Sequence, residues 1–269
     1  MFAGSFTRIT SCCALSLLSL VLSLRAQGGG VVGGPERGQL VEDLVIANRI
    51  LANEGIVDGL GHVSVRRDQR VDHFLLSRDQ APGLVTADDV MEFDLDGNPV
   101  DSQGRRTYGE RFIHSSIYKA RPDVMAIVHA HTPSILPFTT SDVSLRPMYN
   151  QSAFLLAGAP IFEIRRVEGA SGMLVRDARI GAALAQTLGD KAVALMRGHG
   201  LVVVAPSLPE AVARSVYVDI NARVQAQAIA LGGTIKYIGP QDVTTPTSAE
   251  PASGVRRNWD IWKQRAMGR

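Results

Sequence analysis

The sequence is 269 residues long, with 45% hydrophobic and 20% charged residues, which is the composition of a globular protein with a substantial core. This length suits one large domain or two small ones. The 28 basic and 26 acidic residues give a formal net charge of +2, which does not favour a nucleic-acid-binding surface, and no internal repeat is evident.

Residues 1–26 have the pattern of an export signal. Arg8 precedes the apolar run CCALSLLSLVLSL, and small residues follow it before a Gly-rich stretch. The run is short for a membrane span, so we predict cleavage after export, with an attached anchor as the alternative. Cleavage would remove Arg8, Arg25, Cys12 and Cys13 and leave 26 basic and 26 acidic residues. Any metal in the mature chain would then have only histidine and carboxylate side chains as ligands.

Hydrophobic periodicity predicts strands and helices that alternate without the regular spacing of βαβ units. In chain order we expect a helix over 38–54, strands in HVSVRR and HFLLS, a helical turn capped by Thr86, a hairpin around Asp96–Gly97, a helix over 110–120, a strand in VMAIVHAH, a helix in DARIGAALAQTLG, two strands bent at GHG, a helix from Ser207 to Gly232–Gly233, and an amphipathic piece around Trp259 and Trp262. This order predicts an α/β fold, a three-layer α/β/α sandwich around a central mixed or antiparallel sheet.

The strand AIVHAHTPS carries His129 and His131, two of the six histidines in the sequence. Side chains at i and i+2 of a strand share a face about 6–7 Å apart, so both imidazoles can reach one ion, although two partly exposed polar residues would give the same pattern. Glu110, at the start of the helix leading into this strand, and His199, in the turn RGHG, favour the metal site. Three imidazoles and a carboxylate suit one divalent ion, Zn²⁺, Mn²⁺ or Fe²⁺, and catalysis would need Glu110 to yield its position to substrate.

Three segments, GHVSVR, GERFIHSSIYKARPDVMAIVHAH and ALMRGHGLVVVAPSLPEAV, resemble the class II aldolase/adducin family in order and spacing. The resemblance spans residues 40–235 and implies an α/β/α sandwich that commonly forms tetramers with active sites between subunits. The metal ligands that it implies are His129, His131 and His199. It also implies that Glu110 is the acid/base that can cap the metal. Tyr149, in RPMYNQ, matches a tyrosine that acts as a proton donor across the subunit interface.

The sequence departs from the sugar-phosphate aldolases of this family where they hold phosphate. They have Asn in a GNxSxR motif and a Ser-Ser pair before the glutamate, whereas this chain has His62 in GHVSVR and Tyr108-Gly109. His62 is therefore a candidate catalytic residue. The candidate substrate-binding residues are Arg78, Ser77 and Arg66, because an arginine can bind a carboxylate through two hydrogen bonds. Arg66 and Ser64 are alternatively residues that hold their loop, and we expect His114 to have a structural role beside the site.

GHVS together with FLLSR resembles the decarboxylase branch of the family, which acts on hydroxylated aromatic or pyridine dicarboxylates and carboxy-muconic semialdehydes. We therefore expect a metal-dependent carbon–carbon lyase that decarboxylates a hydroxylated aromatic or enol dicarboxylate through a metal-stabilised enolate. An aldolase or epimerase for a small sugar or hydroxy-acid is the second hypothesis. A non-catalytic adducin-like assembly module and an iron-dependent oxygenase are remote alternatives.

The predicted organisation is an export signal over 1–26, a Gly-rich flexible segment over 27–37, the class II aldolase/adducin-like domain over 38–240 and a polar C-terminal tail with a short helix over 241–269. Export without cysteines in the mature chain fits a bacterial periplasm. The expected partner is a small carboxylate substrate, with no nucleic acid and no stable membrane insertion after signal cleavage. A homo-oligomer, a tetramer by resemblance, is also expected.

Overall fold

The computed structural model describes Met1 and residues 37–167, 170, 172–243 and 252–268. The predicted export signal and Gly-rich segment lie outside these residues except at Met1 and Arg37. None of the helices in the described ranges is long and apolar enough to cross a membrane.

The described part contains six α-helices, α1 (Arg37–Asn53), α2 (Arg111–Ala120), α3 (Leu136–Thr140), α4 (Ala178–Leu188), α5 (Leu208–Leu231) and α6 (Ala252–Ala266). The bounds of α1, α2, α4 and α5 lie close to the predicted ones. Ser207 caps α5, as predicted, by accepting a hydrogen bond from the Glu210 backbone N–H. The predicted turn after Thr86 is a short 3₁₀ helix, Ala87–Asp89.

Seven strands form one sheet within the described residues. They are β1 (His62–Arg66), β2 (His73–Ser77), β3 (Val90–Asp94), β4 (Ala126–Ala130), β5 (Ile161–Phe162), β6 (Val193–Met196) and β7 (Gly200–Ala205). Their order across the sheet is β3-β2-β1-β4-β7-β6-β5. Every pairing is antiparallel except that of β5 with β6. The sheet is therefore mixed, as predicted, and β1, β4 and β7 lie at its centre.

Helices cover both faces of this sheet and make the predicted three-layer sandwich. Val128 of β4 points to the core shared with α1, α5 and α6, whereas its neighbour Ile127 points to the core shared with α2 and α4. Successive strand residues alternate faces, so an apolar run such as AIV serves both cores at once. The fold class predicted from the sequence is confirmed.

Several short elements were not predicted, among them α3, the 3₁₀ segment Asn150–Ala157 and the strand β5. Each is too short to show a periodic pattern. The C-terminal helix differs from the predicted short piece in a polar tail, since α6 has 15 residues and packs against α1 and α5. Its Trp259 and Trp262 are buried in the same core as those helices.

Candidate metal centre and active site

The central strands bring the three predicted metal-binding histidines together. His129 in β4 lies opposite His62 of β1 and Val202 of β7 in the sheet register. His131 follows the end of β4, and His199 lies in the turn between β6 and β7. His129, His131 and His199 therefore meet where the central strands β4 and β7 are joined in register, at the end of β4 and the start of β7.

Gly200 permits the close approach of the turn that carries His199. A Cβ atom at Gly200 would lie 2.1 Å from the backbone oxygen of Ala130, which is far inside van der Waals contact. Any side chain at this position would push β7 away from the end of β4. The glycine that follows His199 is thus a requirement of the site's geometry.

The ligand atoms converge on one point. Nε2 of His131 lies 3.1 Å from Nε2 of His129 and 3.1 Å from Nε2 of His199. Oε2 of Glu110 lies 3.8 Å from Nε2 of His129 and 3.6 Å from Nε2 of His199. One ligand atom from each of the four residues lies within 4.8 Å of all the others, as a shared ion requires.

The outer nitrogens of these histidines are all bonded to oxygen acceptors. The bonds run from His129 Nδ1 to the Leu201 carbonyl (3.0 Å), from His199 Nδ1 to the Met173 carbonyl (2.9 Å) and from His131 Nδ1 to Asp58 Oδ1 (3.1 Å). Each Nδ1 therefore carries a proton, and in the neutral imidazole Nε2 presents a lone pair. Lone pairs at these separations repel one another unless a cation lies between them. Tetrahedral nitrogens at zinc-like distances of about 2.0–2.1 Å would be roughly 3.3 Å apart, so the residues fit a divalent metal.

Burial keeps the imidazoles of His129 and His199 neutral and able to bind a metal. Burial, reinforced by the neighbouring imidazoles His62, His199 and His131, holds the pKa of His129 well below its usual value. Burial and the nearby His131 lower the pKa of His199 to about 4, against a smaller opposing effect of the Met173 carbonyl. Both are therefore unprotonated at neutral pH.

Glu110 is held by one of its two carboxylate oxygens. It is the residue immediately before α2, and its Oε1 accepts a 2.8 Å hydrogen bond from the Val175 N–H. Its Oε2 faces the histidines. Burial raises the pKa of Glu110, with opposing contributions from the Val175 hydrogen bond and from His131 and Arg176. A carboxylate anchored at one oxygen can leave the metal and return without losing its place.

Asp58 is a site residue that the sequence analysis missed. Its Oδ1 accepts hydrogen bonds from the backbone N–H groups of Leu60 and Gly61 and from Nδ1 of His131. An aspartate that closes a turn in DGLG is unremarkable in a sequence, and only the fold brings it to His131. Its carboxylate orients the imidazole and makes Nε2 a stronger electron donor.

We expect Asp58→Asn to lower metal affinity by about 10–100-fold, because the substitution removes the charge that orients His131. Competition with a chromophoric chelator measures the dissociation constant. Asp72→Asn is the matched control, since Asp72 also contacts a histidine, His73, outside the cluster. Equal affinity in Asp58→Asn and the control would contradict this role for Asp58.

His62 lies against the metal cluster, where the sequence analysis predicted a catalytic residue. Its ring centroid is 4.9 Å from that of His129 and 4.7 Å from that of Tyr108. The Tyr108 hydroxyl donates to the Gln80 carbonyl and lies 3.3 Å from the hydroxyl of Ser77. Ser77, predicted to bind substrate, is fully buried and instead contacts Tyr108. Tyr108 thus forms one wall of the site beside His62.

Arg78 has the free hydrogen-bonding edge that a substrate carboxylate needs. It follows β2 directly, and the register that places Ser64 opposite Leu76 brings Arg78 level with His62. Its Nε donates a 2.5 Å hydrogen bond to Asp89, which fixes the guanidinium plane. Its two terminal nitrogens have no hydrogen bond to any residue that the structure describes. This geometry is compatible with the predicted substrate-binding role.

Arg66, predicted to bind substrate, is bound to the backbone in the structure. Its side chain is buried, and its guanidinium donates to the backbone carbonyls of four residues, which are Val124, Val71, Tyr118 and Arg121. These four bonds hold the guanidinium against the backbone. The alternative interpretation, in which Arg66 holds its own loop, agrees with these contacts.

We expect Arg66→Met to reduce the free energy of unfolding by roughly 3 kcal/mol, since several buried carbonyls lose their donors at once. Metal content should not change. Arg70→Met serves as the control, because Arg70 is half-exposed and its ion pair with Glu92 should contribute at most about 1 kcal/mol. Denaturant unfolding of both variants gives the comparison. A cost for Arg66→Met no larger than that of the control would show that these bonds are not structural.

Tyr149 stands apart from the cluster within one chain. Its hydroxyl donates a 3.3 Å hydrogen bond to the Tyr217 carbonyl of α5. It has no hydrogen bond to the four cluster residues in the part of the chain that the structure describes. The predicted role of Tyr149 is one played across an interface, so it stays a prediction for the assembled protein.

The fold and the metal centre are those of a known family. The profile described as "Class II Aldolase and Adducin N-terminal domain" matches residues 42–226, which is more than half of the sequence. The chain belongs to this family, as the resemblance of its motifs implied. The cluster also fits the metal dependence of its enzymes.

Individual relatives are similar over most of their length. The chain is 34% identical over 244 residues to "Decarboxylase tropJ" of Talaromyces stipitatus, covering 82% of this chain and 92% of that protein. It is 31% identical over 218 residues to the 3,4-dihydroxyphthalate decarboxylase of Arthrobacter keyseri, covering 75% of this chain and 84% of that protein. The L-fuculose 1-phosphate aldolase from Glaciozyma antarctica superposes with a TM-score of 0.70 at 27% identity, covering 86% of this chain and 90% of that one. The decarboxylase relatives agree with the predicted branch and with a carbon–carbon lyase.

Proposed function

We propose that this protein is a metal-dependent decarboxylase of a hydroxylated aromatic or enol dicarboxylate. The observation that supports it most is the convergence of three histidine Nε2 atoms and Oε2 of Glu110 on one point, with His62 in ring contact with His129. The relatives named as decarboxylases point to the same reaction. An ortho-hydroxylated dicarboxylate such as 3,4-dihydroxyphthalate is the substrate class that we infer.

The proposed cofactor is one divalent ion per chain, Zn²⁺ or Mn²⁺, with Fe²⁺ as a third option. His129, His131 and His199 would hold it, and Glu110 would be the exchangeable fourth ligand. When bound, the ion supplies Lewis-acid stabilisation of negative charge on a substrate oxygen, worth several kcal/mol.

Residues of the chain itself would bind the substrate carboxylate and transfer the proton. Arg78 would bind the carboxylate that stays on the substrate, through the terminal nitrogens that Asp89 leaves free. With the adjacent hydroxyl deprotonated, Oε2 of Glu110 would deliver a proton to the ring carbon that carries the other carboxylate, while Val175 N–H holds Oε1, and the adjacent oxygen would become a carbonyl. The bond from that carbon to the carboxylate would then break, CO₂ would leave, and the electron pair would pass through the ring onto this oxygen, which restores the aromatic phenolate.

A substrate panel tests this proposal. Purified protein with Zn²⁺ or Mn²⁺ should release CO₂ from 3,4-dihydroxyphthalate. It should release none from phthalate, which lacks the hydroxyls, and less from 2,3-dihydroxybenzoate, which lacks the second carboxylate. Equal rates with and without the second carboxylate would contradict the role of Arg78 in binding it. Absence of CO₂ release from every ortho-hydroxylated dicarboxylate tested would contradict the decarboxylase proposal.

An aldolase acting on a small sugar or hydroxy-acid is the second candidate. It is favoured by the similarity to a solved L-fuculose 1-phosphate aldolase, because the same metal centre can stabilise an enolate in either reaction. The two differ in the fragment that leaves. Aldehyde release from a sugar phosphate, without CO₂ release from the dicarboxylate panel, would establish this alternative.

We also propose that the protein is exported to a bacterial periplasm with residues 1–26 removed, and that it forms a tetramer in which Tyr149 reaches a neighbouring subunit's site. The signal-like pattern of the first 26 residues and the family resemblance support these proposals. N-terminal sequencing of protein from the periplasmic fraction and light scattering of the purified protein test them. A start at Met1 or a monomer in solution would contradict them.

A further inference from the structure

A hydrogen-bond network of buried side chains leads away from His62 into the core. Nδ1 of His62 lies 2.6 Å from Nε2 of His114, whose Nδ1 lies 2.6 Å from the hydroxyl of Ser64. The Ser64 hydroxyl lies 2.8 Å from that of Tyr118. All four side chains are buried, with 1% or less of each residue exposed. The sequence places these residues on β1 and α2, and only the fold joins them.

When both imidazoles are neutral, the proton between His114 and His62 can be on His114 or on His62. In the first case Tyr118 donates to Ser64, Ser64 donates to His114, and His114 donates to His62, so every proton has an acceptor. In the second case His62 donates to His114 and His114 donates to Ser64, so one of the two hydroxyl protons, that of Ser64 or that of Tyr118, has no acceptor among the described residues. A buried hydroxyl without an acceptor costs about 1–3 kcal/mol, which favours the first case.

Arg66 strengthens Tyr118 as the donor at the inner end. Its guanidinium carbon lies 4.7 Å from the centroid of the Tyr118 ring. Burial raises the pKa of Tyr118, so the phenol keeps its proton, while the nearby cation polarises the O–H bond. Both effects support donation from Tyr118 to Ser64.

His62 therefore has the opposite proton arrangement from its three neighbours in the metal centre. The Nδ1 atoms of His129, His131 and His199 face oxygen acceptors, which leaves their Nε2 lone pairs for a metal. Nδ1 of His62 instead accepts from His114, so its proton must be on Nε2. A neutral imidazole with this arrangement has no lone pair for the metal at Nε2 but offers an N–H donor.

We propose that Tyr118, Ser64 and His114 fix His62 as the Nε2–H tautomer, so that it donates a hydrogen bond to an anionic substrate oxygen and stays off the metal. His114, Ser64 and Tyr118 are positioning residues, because they act only through His62. The substrate part of this statement rests on the proposed function, and the tautomer part does not. A donor with no net charge stabilises a developing oxyanion without tightening substrate binding as much as a cation would.

Nitrogen NMR of the Zn²⁺-loaded protein, labelled with ¹⁵N-histidine, tests the tautomer directly. Long-range ¹H–¹⁵N spectra distinguish a protonated ring nitrogen from an unprotonated one, and single substitution of the six histidines assigns the signals. We expect Nε2 of His62 to be protonated and Nδ1 unprotonated, the reverse of the pattern at His129. A protonated Nδ1 at His62, or a His62 Nε2 signal shifted by metal coordination, would overturn the proposal.

A pair of serine variants tests the role of the hydrogen-bond network formed by His62, His114, Ser64 and Tyr118. Ser64→Ala interrupts this network, so the His62 signals should move towards those of mixed tautomers. Ser116→Ala, which removes another buried hydroxyl from α2 that is not part of this network, should leave them unchanged. An unchanged His62 tautomer in Ser64→Ala would show that the hydrogen-bond network does not fix the tautomer. If the wild-type protein has the expected tautomer but releases no CO₂ from the substrate panel, the proposed function fails and the tautomer assignment stands.

Discussion

His129→Ala should abolish stoichiometric metal binding and lower CO₂ release by on the order of 10³-fold. This residue is fully buried in the central strand β4, and its Nε2 lies 3.1 Å from that of His131. Its removal leaves two imidazoles and an exchangeable carboxylate, which bind a divalent ion weakly. Loss of several kcal/mol of Lewis-acid stabilisation gives the expected factor in rate, since each 1.36 kcal/mol is tenfold.

The control for this variant is His73→Gln. His73 is also a buried strand histidine, but it contacts Asp72 and Arg70 on another part of the sheet. Metal analysis after gel filtration and a CO₂ assay on both variants give the comparison. Full metal content in His129→Ala would contradict the assignment of the cluster, as would an equal loss in His73→Gln.

Glu110→Gln should retain the metal and still lose most of the turnover. Glutamine keeps an oxygen that can accept the Val175 hydrogen bond, so the side chain should keep its position. It cannot deliver a proton from the atom that replaces Oε2, and loss of a positioned general acid typically costs about 10²–10⁴-fold in rate. The three histidines remain to hold the ion.

Metal content and kcat, measured on the same preparation, separate the two roles of Glu110. Glu210→Gln is the control, because Glu210 forms an ion pair with Arg214 at the start of α5. If Glu110→Gln loses the metal along with activity, Glu110 is chiefly a ligand. If it keeps both metal and turnover, the acid must be another residue, with His62 as the first candidate.

The regular elements could be predicted from the sequence because their patterns are local. The helix before Gly55 has a periodic apolar stripe, the strand before His131 is a short apolar run, and Ser207 and Gly232 mark the ends of α5. The short strand β5 could not be predicted in this way, since Ile161–Phe162 is only two residues long and is held by its pairing with β6.

The metal cluster was also within reach of sequence reasoning, whereas its supporting contacts were not. Histidines two residues apart on a strand share a face whatever the rest of the fold does. Asp58 is 73 positions away from the histidine that it orients, and no local pattern connects them. Arg66 is the opposite case. An arginine beside a site motif suggested a substrate-binding residue, whereas in the structure its guanidinium donates hydrogen bonds to backbone carbonyls.

The dependence of CO₂ release on metal per chain is the most direct test of a metal-dependent decarboxylase. Metal-free protein is prepared by chelation, titrated with Zn²⁺ or Mn²⁺, and assayed with 3,4-dihydroxyphthalate at each addition. CO₂ release should rise from near zero and level off at one ion per chain in the wild type, and it should stay near zero in His129→Ala. Full activity in the metal-free protein, or no CO₂ at any metal ratio, would contradict it.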